Sequence, residues 1–416
     1  MKPATSLRAQ SSVYGKIEQL LIVFPGNPEK LNRKAILNYF KELFTHFGDR
    51  VTFIILSNYQ GELDKEKYLE VSERFHAAFS EALLNSHLHP EHHMIHIPAP
   101  MSRRSEKNCF KHSEFIQDPF VVMQNDRGEP VLMESYRNLN PNNQYVTEQV
   151  AAATGMLMRP TELWVEGGNI LIGNDFALVG KNLLHHNLDL LYPGKKLYEK
   201  IGGNSANQNY TPEHIITGMF KRQLGVRYLM WIGQDSPLEL GLRLDLGKYK
   251  LQPFFHIDHF LTLAGMNGKG EELILIGKVN TDFVEGMEDQ FKQDIEKINR
   301  ALRYVAAQLA RSGNRVAGPK FRFVCLEMGG KIISKEDGYR FVPYSYNNCH
   351  VEWFHGIKRI YMPKYPERKE LEDEILKIIG GLGFPVFPFI SYELEGYAKD
   401  GGSLHCLTKV LKCSPY

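Results

Sequence analysis

No run of about 18 apolar residues occurs anywhere in the chain, and Met1 to Lys16 carries serine, glutamine and charge where a secretory leader would be apolar. The expectation is a soluble, cytoplasmic protein. Cysteine is scarce: five in 416 residues, at Cys109, Cys325, Cys349, Cys406 and Cys413, an odd number with no Cys-x-x-Cys pair. That spacing fits neither a disulfide framework nor a zinc site, so reduced thiols are expected. An excess of one charge is missing too. Fifty Lys and Arg face 48 Asp and Glu, a formal net charge of +2, which argues against a dedicated nucleic-acid or anionic-membrane binder. Gly277-Lys278 lacks the glycine spacing and the hydroxyl residue of a phosphate-binding loop. No Pro- or Ser-rich linker divides the chain. It is read as a polar leader over 1–19 and one composite domain over 20–416.

What is present is ordinary globular material, 43% hydrophobic and 24% charged, able to bury a large core. Leu20 to Phe24 has the length of a buried strand, and Asn27-Pro28-Glu29 then opens a helix whose apolar positions Leu31, Ala35, Tyr39, Leu43 and Phe47 recur at helical spacing. Gly48 ends that helix and Val51 to Leu56 is the next strand. The pattern returns at Thr211-Pro212, Gly225 and Val226 to Ile232. It returns again in a long amphipathic helix from Met287 to Leu309, closed by Gly313 before Phe321 to Leu326, and in Glu367 to Ile379 before Phe384 to Ile390. Lys65 to Leu84 and Tyr145 to Ala153 add two helices. Asn125 to Gly128 and Asn267-Gly268 are hairpin turns between short apolar runs. The chain therefore reads as mixed β and α units of about 60 to 80 residues each, without the short period of a solenoid. His87, His89, His92, His93 and His96, and the basic group Arg103, Arg104, Lys107 and Lys111, are read as solvated loops.

Chemistry is concentrated in four stretches. Gly401-Gly402 precedes Ser403-Leu404-His405-Cys406, where the glycines allow a sharp turn and close backbone approach and the thiol is a strong nucleophile once deprotonated. In Phe254 to Phe260, an apolar strand-like run, His256 and Asp258 lie two apart and share a face. In Glu162 to Leu171, Glu166 closes an apolar strand and Gly167-Gly168 let the chain turn tightly behind it. Asp118 sits in Phe115 to Met123, just before Pro119, which holds it extended. Each stretch alone leaves alternatives open: a buried thiol packed as a small hydrophobe, a satisfied core histidine, a solvated strand-end glutamate, a turn aspartate. A metal at His256 and Asp258 lacks a local third ligand of the His-Glu-x-x-His kind, and none is expected. Together the four stretches hold a thiol, an imidazole and three acids. That is more acid than a peptidase needs, and it suits a planar guanidinium with its fork of N–H donors.

In order along the chain, Ile116-Gln117-Asp118, Glu166-Gly167-Gly168-Asn169, His256-Ile257-Asp258-His259-Phe260 and Gly402-Ser403-Leu404-His405-Cys406-Leu407-Thr408 resemble the guanidine-modifying (pentein) superfamily. The acid-Gly-Gly-Asn and Gly-x-x-His-Cys-x-Thr elements are similar to those of agmatine deiminases. The Ile-Gln-Asp, His-x-Asp-x-Phe and His-Cys-x-Thr elements are similar to those of the protein-arginine deiminase catalytic domain. The resemblance implies an α/β propeller of about five ββαβ-like units around a central active site. It implies hydrolysis of a guanidino group to a ureido group and ammonia: Cys406 attacks the guanidinium carbon, Asp118 and Asp258 hold its nitrogens, and Glu166 orients His256, which transfers protons.

The expected partner is an arginine-containing peptide or protein, then agmatine or free or methylated arginine, with no nucleic acid, membrane or cofactor. An amidinotransferase and a silent arginine-binding module are the remaining readings. Calcium-dependent members carry acids just after the first aspartate, whereas this chain has Pro119, Phe120 and Val121, so no calcium requirement is expected. Agmatine deiminases carry an arginine before that aspartate and Gly-Pro after it, and this chain has neither.

Overall fold

The computed structural model of the protein describes residues 7–24, 33–57, 65–98, 115–137, 143–191, 211–244, 246, 248–313, 318–336, 338–365, 368–390 and 402–414. The chain begins with β1 (Arg8–Ala9), β2 (Lys16–Phe24), α1 (Arg33–Phe47), β3 (Thr52–Ser57), α2 (Lys65–Leu84), the short α3 (Pro90–His93) and β4 (Met94–Ile97). It continues through β5 (Phe120–Gln124), β6 (Pro130–Glu134), α4 (Gln144–Thr154), β7 (Leu157–Pro160), β8 (Ile170–Ile172), β9 (Phe176–Gly180), α5 (Lys181–Leu191), α6 (Pro212–Leu224) and β10 (Tyr228–Ile232). The rest is β11 (Leu261–Met266), β12 (Glu272–Glu285), α7 (Asp289–Gly313), β13 (Phe321–Lys335), β14 (Gly338–Tyr344), β15 (His350–Phe354), β16 (Ile357–Lys364), α8 (Lys369–Gly381), β17 (Val386–Ile390), α9 (Leu404–Leu407) and β18 (Thr408–Ser414).

These strands form five sheets among the described residues, and each sheet follows one grammar. A leading strand pairs antiparallel with the next: β5 with β6, β8 with β9, β11 with β12, β15 with β16. The second strand then pairs parallel with a third, β7, β10, β13 or β17. Parallel neighbours need a crossover, and α4, α5 with α6, α7 and α8 supply it. The fifth sheet is closed by the two ends of the chain, since β18 pairs antiparallel with β2, which pairs parallel with β3 across α1. The mixed α/β repeat expected from the sequence is therefore present.

Local chemistry explains most boundaries. Thr211 caps α6 by accepting from the His214 N–H, and Gly225 ends it at φ +65°, a left-handed conformation that favours glycine. In α7, Phe291, Ile295, Ile298, Leu302, Val305 and Leu309 are buried, the face expected from their spacing. The hairpin at Asn125 to Gly128 joins β5 to β6, and that at Asn267-Gly268 joins β11 to β12.

Other readings need correction. Phe254 to Phe260 is not strand-like: Ile257–His259 is a 3-10 turn, and β11 starts only at Leu261. Nor is there a strand ending at Glu166, because Gly167–Asn169 is also a 3-10 turn and β8 follows it. Apolar runs of this length cannot distinguish a buried turn from a buried strand. The histidine-rich connection is α3 and β4, where His96 Nε2 lies 2.8 Å from Ser57 Oγ. The leader read over 1–19 is described from residue 7, and there β1 pairs with β5 and Ala9, Val13 and Ile17 are buried. Gly401, the Asn27-Pro28-Glu29 helix start and the basic group at 103–111 lie outside the described residues. Among the described residues no helix is long and apolar enough to cross a membrane.

One buried carboxylate ties two sheets together. Glu352 in β15 accepts from the Ile17 N–H (2.7 Å), from Arg50 Nη1 (2.5 Å) and from the Tyr361 hydroxyl (2.8 Å). Truncating one member of such a buried pair leaves the rest desolvated and unpaired. We expect Glu352→Ala to lower unfolding free energy by about 3–5 kcal/mol in denaturant titration; a loss below about 1 kcal/mol would contradict this reading.

Candidate active site

The four chemical stretches occupy one repeated position. Asp118, Glu166, Asp258 and Cys406 each sit two to four residues before the leading strand of a different sheet, β5, β8, β11 and β18. The remaining sheet contributes Asn348 from the same place, two residues before β15. Glycine makes the convergence possible. A Cβ on Gly168 would lie 2.5 Å from His256 Nδ1, and one on Gly167 would lie 2.1 Å from the Gln117 carbonyl oxygen. A side chain at either position would push the turns apart.

Cys406 lies in the short turn α9 and is 3% exposed. Its sulfur is not packed in hydrocarbon. Asn348 Nδ2 donates to Sγ at 3.1 Å, and Asp258 Oδ2 and His259 Nε2 stand 3.7 and 3.6 Å away. Asn348 also accepts from the Cys406 N–H through Oδ1 (3.1 Å) and from the His405 N–H through its carbonyl (3.2 Å), so one side chain and its backbone hold the turn. The imidazole in contact with sulfur is that of His259. No hydrogen bond joins His256 to the thiol among the described residues.

His256 is held instead between acids, with Nε2 at 3.3 Å from Glu166 Oε2 and Nδ1 at 3.7 Å from Asp118 Oδ1. Glu166 is fixed in turn by Trp164 Nε1 (2.9 Å) and Asn169 Nδ2 (3.1 Å). Asp258 Oδ2 is 2.7 Å from His405 Nδ1. Two carboxylate oxygens, Asp118 Oδ1 and Asp258 Oδ1, are buried without a hydrogen-bond partner. Such atoms are costly unless something polar comes to meet them.

The electrostatics follow from burial and these contacts. Burial pulls His256 down, but Asp118, Glu166 and Asp258 outweigh it and raise its pKa to about 9. Burial pushes Asp118 up to about 6, with the charges of Glu166 and Asp258 adding to it and His256 and Lys409 opposing. Burial acts the same way on Asp258, yet the His405 hydrogen bond and the neighbouring histidines bring it down to about 2. Glu166 is likewise held below its ordinary value despite burial, through the His256 and Trp164 donors. Burial and the Asp258 charge push the Cys406 thiol well above its ordinary range. At neutral pH the site therefore holds a protonated imidazole, ionised acids and a thiol that stays protonated until positive charge arrives.

The structure brings all five sequence-derived residues together, and it adds Asn348, His259 and His405. His256, Asp258 and His259 place one donor atom each within 4.8 Å of one another, so the local third partner missing from the sequence pattern is His259. His256 Nε2 faces Glu166 at 3.3 Å and Asp258 Oδ2 faces His405 at 2.7 Å, so these atoms already have hydrogen-bond partners within the protein. His259 and His405 stood in the motifs without a role. Asn348 was detectable as a polar residue in the buried run Ser345 to His350, ahead of a strand, like the other four.

If the acids set the charge of His256, their removal must lower its pKa, because only the downward pull of burial is then left. We expect Glu166→Gln to move the NMR titration of His256 from about 9 to below it by about 1 unit or more. A wild-type His256 titrating at or below 6.5 would contradict the geometry.

No protein-family model matches the chain, and no curated protein matches it by sequence. Solved structures do match in shape. An agmatine deiminase from C. jejuni superposes with a TM-score of 0.59 at 14% identity, covering 100% of this chain and 99% of that one. A chain named as a candidate peptidyl-arginine deiminase gives 0.58 at 17% identity, covering 99% and 100%. A Porphyromonas gingivalis protein named as a candidate arginine deiminase gives 0.60 at 14% identity, covering 99% and 98%. Across nearly its whole length the chain shares its mixed α/β fold with these solved structures.

Proposed function

We propose that the protein is a cysteine hydrolase that deiminates a guanidino group. The observation that carries this reading is the pair of buried, unpartnered carboxylate oxygens, Asp118 Oδ1 and Asp258 Oδ1, in the same cluster as the Cys406 sulfur. A guanidinium offers N–H donors on two sides of a flat carbon, which matches two acids around one nucleophile. We read the chain as one catalytic domain whose five sheets surround the site as the units of a propeller. The support is that all five turns ahead of the leading strands meet there.

In the reaction so read, the bound cation lowers the thiol pKa and Cys406 gives its proton to His259, the imidazole in contact with it. Asn348 Nδ2 donates to the resulting thiolate. Sulfur bonds to the guanidinium carbon, and His256, protonated at neutral pH, passes a proton to the departing nitrogen as the C–N bond breaks and ammonia leaves. The product of that half is an S-alkylthiouronium on Cys406. His256, now neutral and oriented by Glu166, takes a proton from water. The hydroxide adds to the same carbon, the adduct loses its hydroxyl proton to solvent as the thiolate is expelled, and His259 returns its proton to Cys406, leaving the ureido product.

Peptidyl-arginine is the first substrate of this reading, supported by the Ile-Gln-Asp and His-x-Asp-x-Phe motifs and by the residues around Asp118. Agmatine is second, supported by full-length structural neighbours that are agmatine deiminases, one a cysteine-to-serine variant with its substrate bound. A single assay of ammonia and ureido product against peptidyl-arginine, agmatine and free arginine separates them. Transfer of the amidino group to an amine without ammonia would select an amidinotransferase, and binding without turnover a silent module. With the active substrate, Cys406→Ala should abolish turnover and Asp258→Asn should reduce kcat/KM about 10³-fold or more. Retained activity in either would overturn the assignment. Asp118 must be ionised to bind and His256 protonated to donate. The kcat/KM profile should therefore fall below pH about 6 and above pH about 9, whereas a profile rising monotonically through pH 9 would contradict the roles.

A further inference from the structure

Lys409, the second residue of β18, is a buried lysine at 4% exposure, a rare position for an ammonium unless it is paired. Nζ donates to the Gln117 carbonyl oxygen at 2.7 Å and to Gln117 Oε1 at 3.1 Å, and it lies 4.9 Å from the centroid of the Phe120 ring. Gln117 and Phe120 flank Asp118 on either side. The same Gln117 carbonyl accepts from the Gly167 N–H at 3.1 Å, next to Glu166, and a Cβ on Gly167 would stand 2.7 Å from Nζ. Gln117 Nε2 donates to the Thr408 carbonyl at 2.7 Å, two residues past Cys406.

One ammonium thus sits at the junction of the three turns that carry Asp118, Glu166 and Cys406. A neutral amide could make the same hydrogen bonds, so the charge itself requires an explanation. Lys409 also lines a cavity of about 70 Å³ with Gln10, Gln117, His350 and His405, and no Asp or Glu lines it among the described residues. The acids that act on Lys409 are Asp118 and Asp258. The histidines near them are His256, whose charge acts on both acids, and His259 and His405, which stand beside Asp258. His350, on β15, acts against Lys409, but burial holds it well below its ordinary pKa and hence neutral.

We infer that Lys409 is a positioning residue for the guanidinium clamp: its ammonium locks the Asp118 turn against those of Glu166 and Cys406 and places a positive charge beside the two acids. The inference deepens the proposed function and rests on it for the identity of the ligand. Burial lowers Lys409 to about 7, while Asp118 titrates at about 6, so the lysine is charged while Asp118 ionises and favours that ionisation. Above pH about 7 the lysine discharges, leaving the hydrogen bonds but not the charge.

The test uses alkylation of Cys406 by two reagents, 2-chloroacetamidine, which carries a planar cation, and neutral iodoacetamide. Iodoacetamide reports the thiol without a bound cation, and the rate of 2-chloroacetamidine relative to it reports how strongly the acids favour a cation. In the wild-type protein the ratio should rise with pH through about 6. In Lys409→Met and Lys409→Gln, each checked for native circular dichroism, the midpoint should move up by about 1 pH unit, because a cation that favoured ionised Asp118 is gone. Lys409→Met, which also strands the Gln117 acceptors, should in addition raise KM for the guanidino substrate about 10-fold with a smaller change in kcat. Lys409→Gln keeps a donor for Gln117 and carries the test if the methionine variant does not fold. A folded neutral variant whose midpoint matches wild type would overturn the inference, since a residue that merely packs moves neither quantity. If wild type alkylates with the expected ratio but turns over no guanidine, the functional reading fails and the positioning role stands.

Discussion

Three carboxylates around one small volume, Glu166 and Asp258 buried and Asp118 partly so, dominate this molecule. Unopposed, Asp118, Glu166 and Asp258 would protonate or pull the turns apart, since like charges in a poorly solvated site repel strongly. The structure answers with His256 between Glu166 and Asp118, His405 on Asp258 and Lys409 behind Gln117. Two carboxylate oxygens are still left over. In the proposed reaction a planar cation completes this balance, and the excess of negative charge keeps the thiol protonated until that cation enters, so that binding and activation of the thiol become one electrostatic event.

The fold supplies this constellation by repetition. Each of the five sheets turns sharply just before its leading strand, and those five turns deliver Asp118, Glu166, Asp258, Asn348 and Cys406. Rigid antiparallel pairs behind each turn, such as β5 with β6 and β11 with β12, fix the backbone on which the side chains depend. The fifth sheet pairs β18 with β2, so Cys406 is positioned by residues near the start of the sequence. Loss of that pairing would disorder the nucleophile along with the fold.

How far the sequence discloses this depends on the kind of signal. Helices with long apolar periods and explicit ends were legible: α2 runs over Lys65–Leu84 as expected, and α6 lies between Thr211 and Gly225. The chemical residues were legible because an acid or a histidine inside an apolar run must have a partner. The backbone around them was not. Phe254 to Phe260 and Glu162 to Glu166 read as strands but form or approach 3-10 turns, since hydrophobicity reports burial and not curvature. Lys409 escaped because its role depends on a contact across the chain, to Gln117 at 2.7 Å, which no local spacing encodes.

The central claim is that the sulfur of Cys406 forms a bond to a guanidinium carbon. Acid quenching during turnover, followed by intact-mass and peptide mapping, tests it directly. The account predicts an adduct equal to the substrate less one ammonia, confined to the peptide containing Cys406 and absent from Cys406→Ala. Turnover that proceeds at full rate with no adduct on that peptide, or with the adduct on another cysteine, would contradict it.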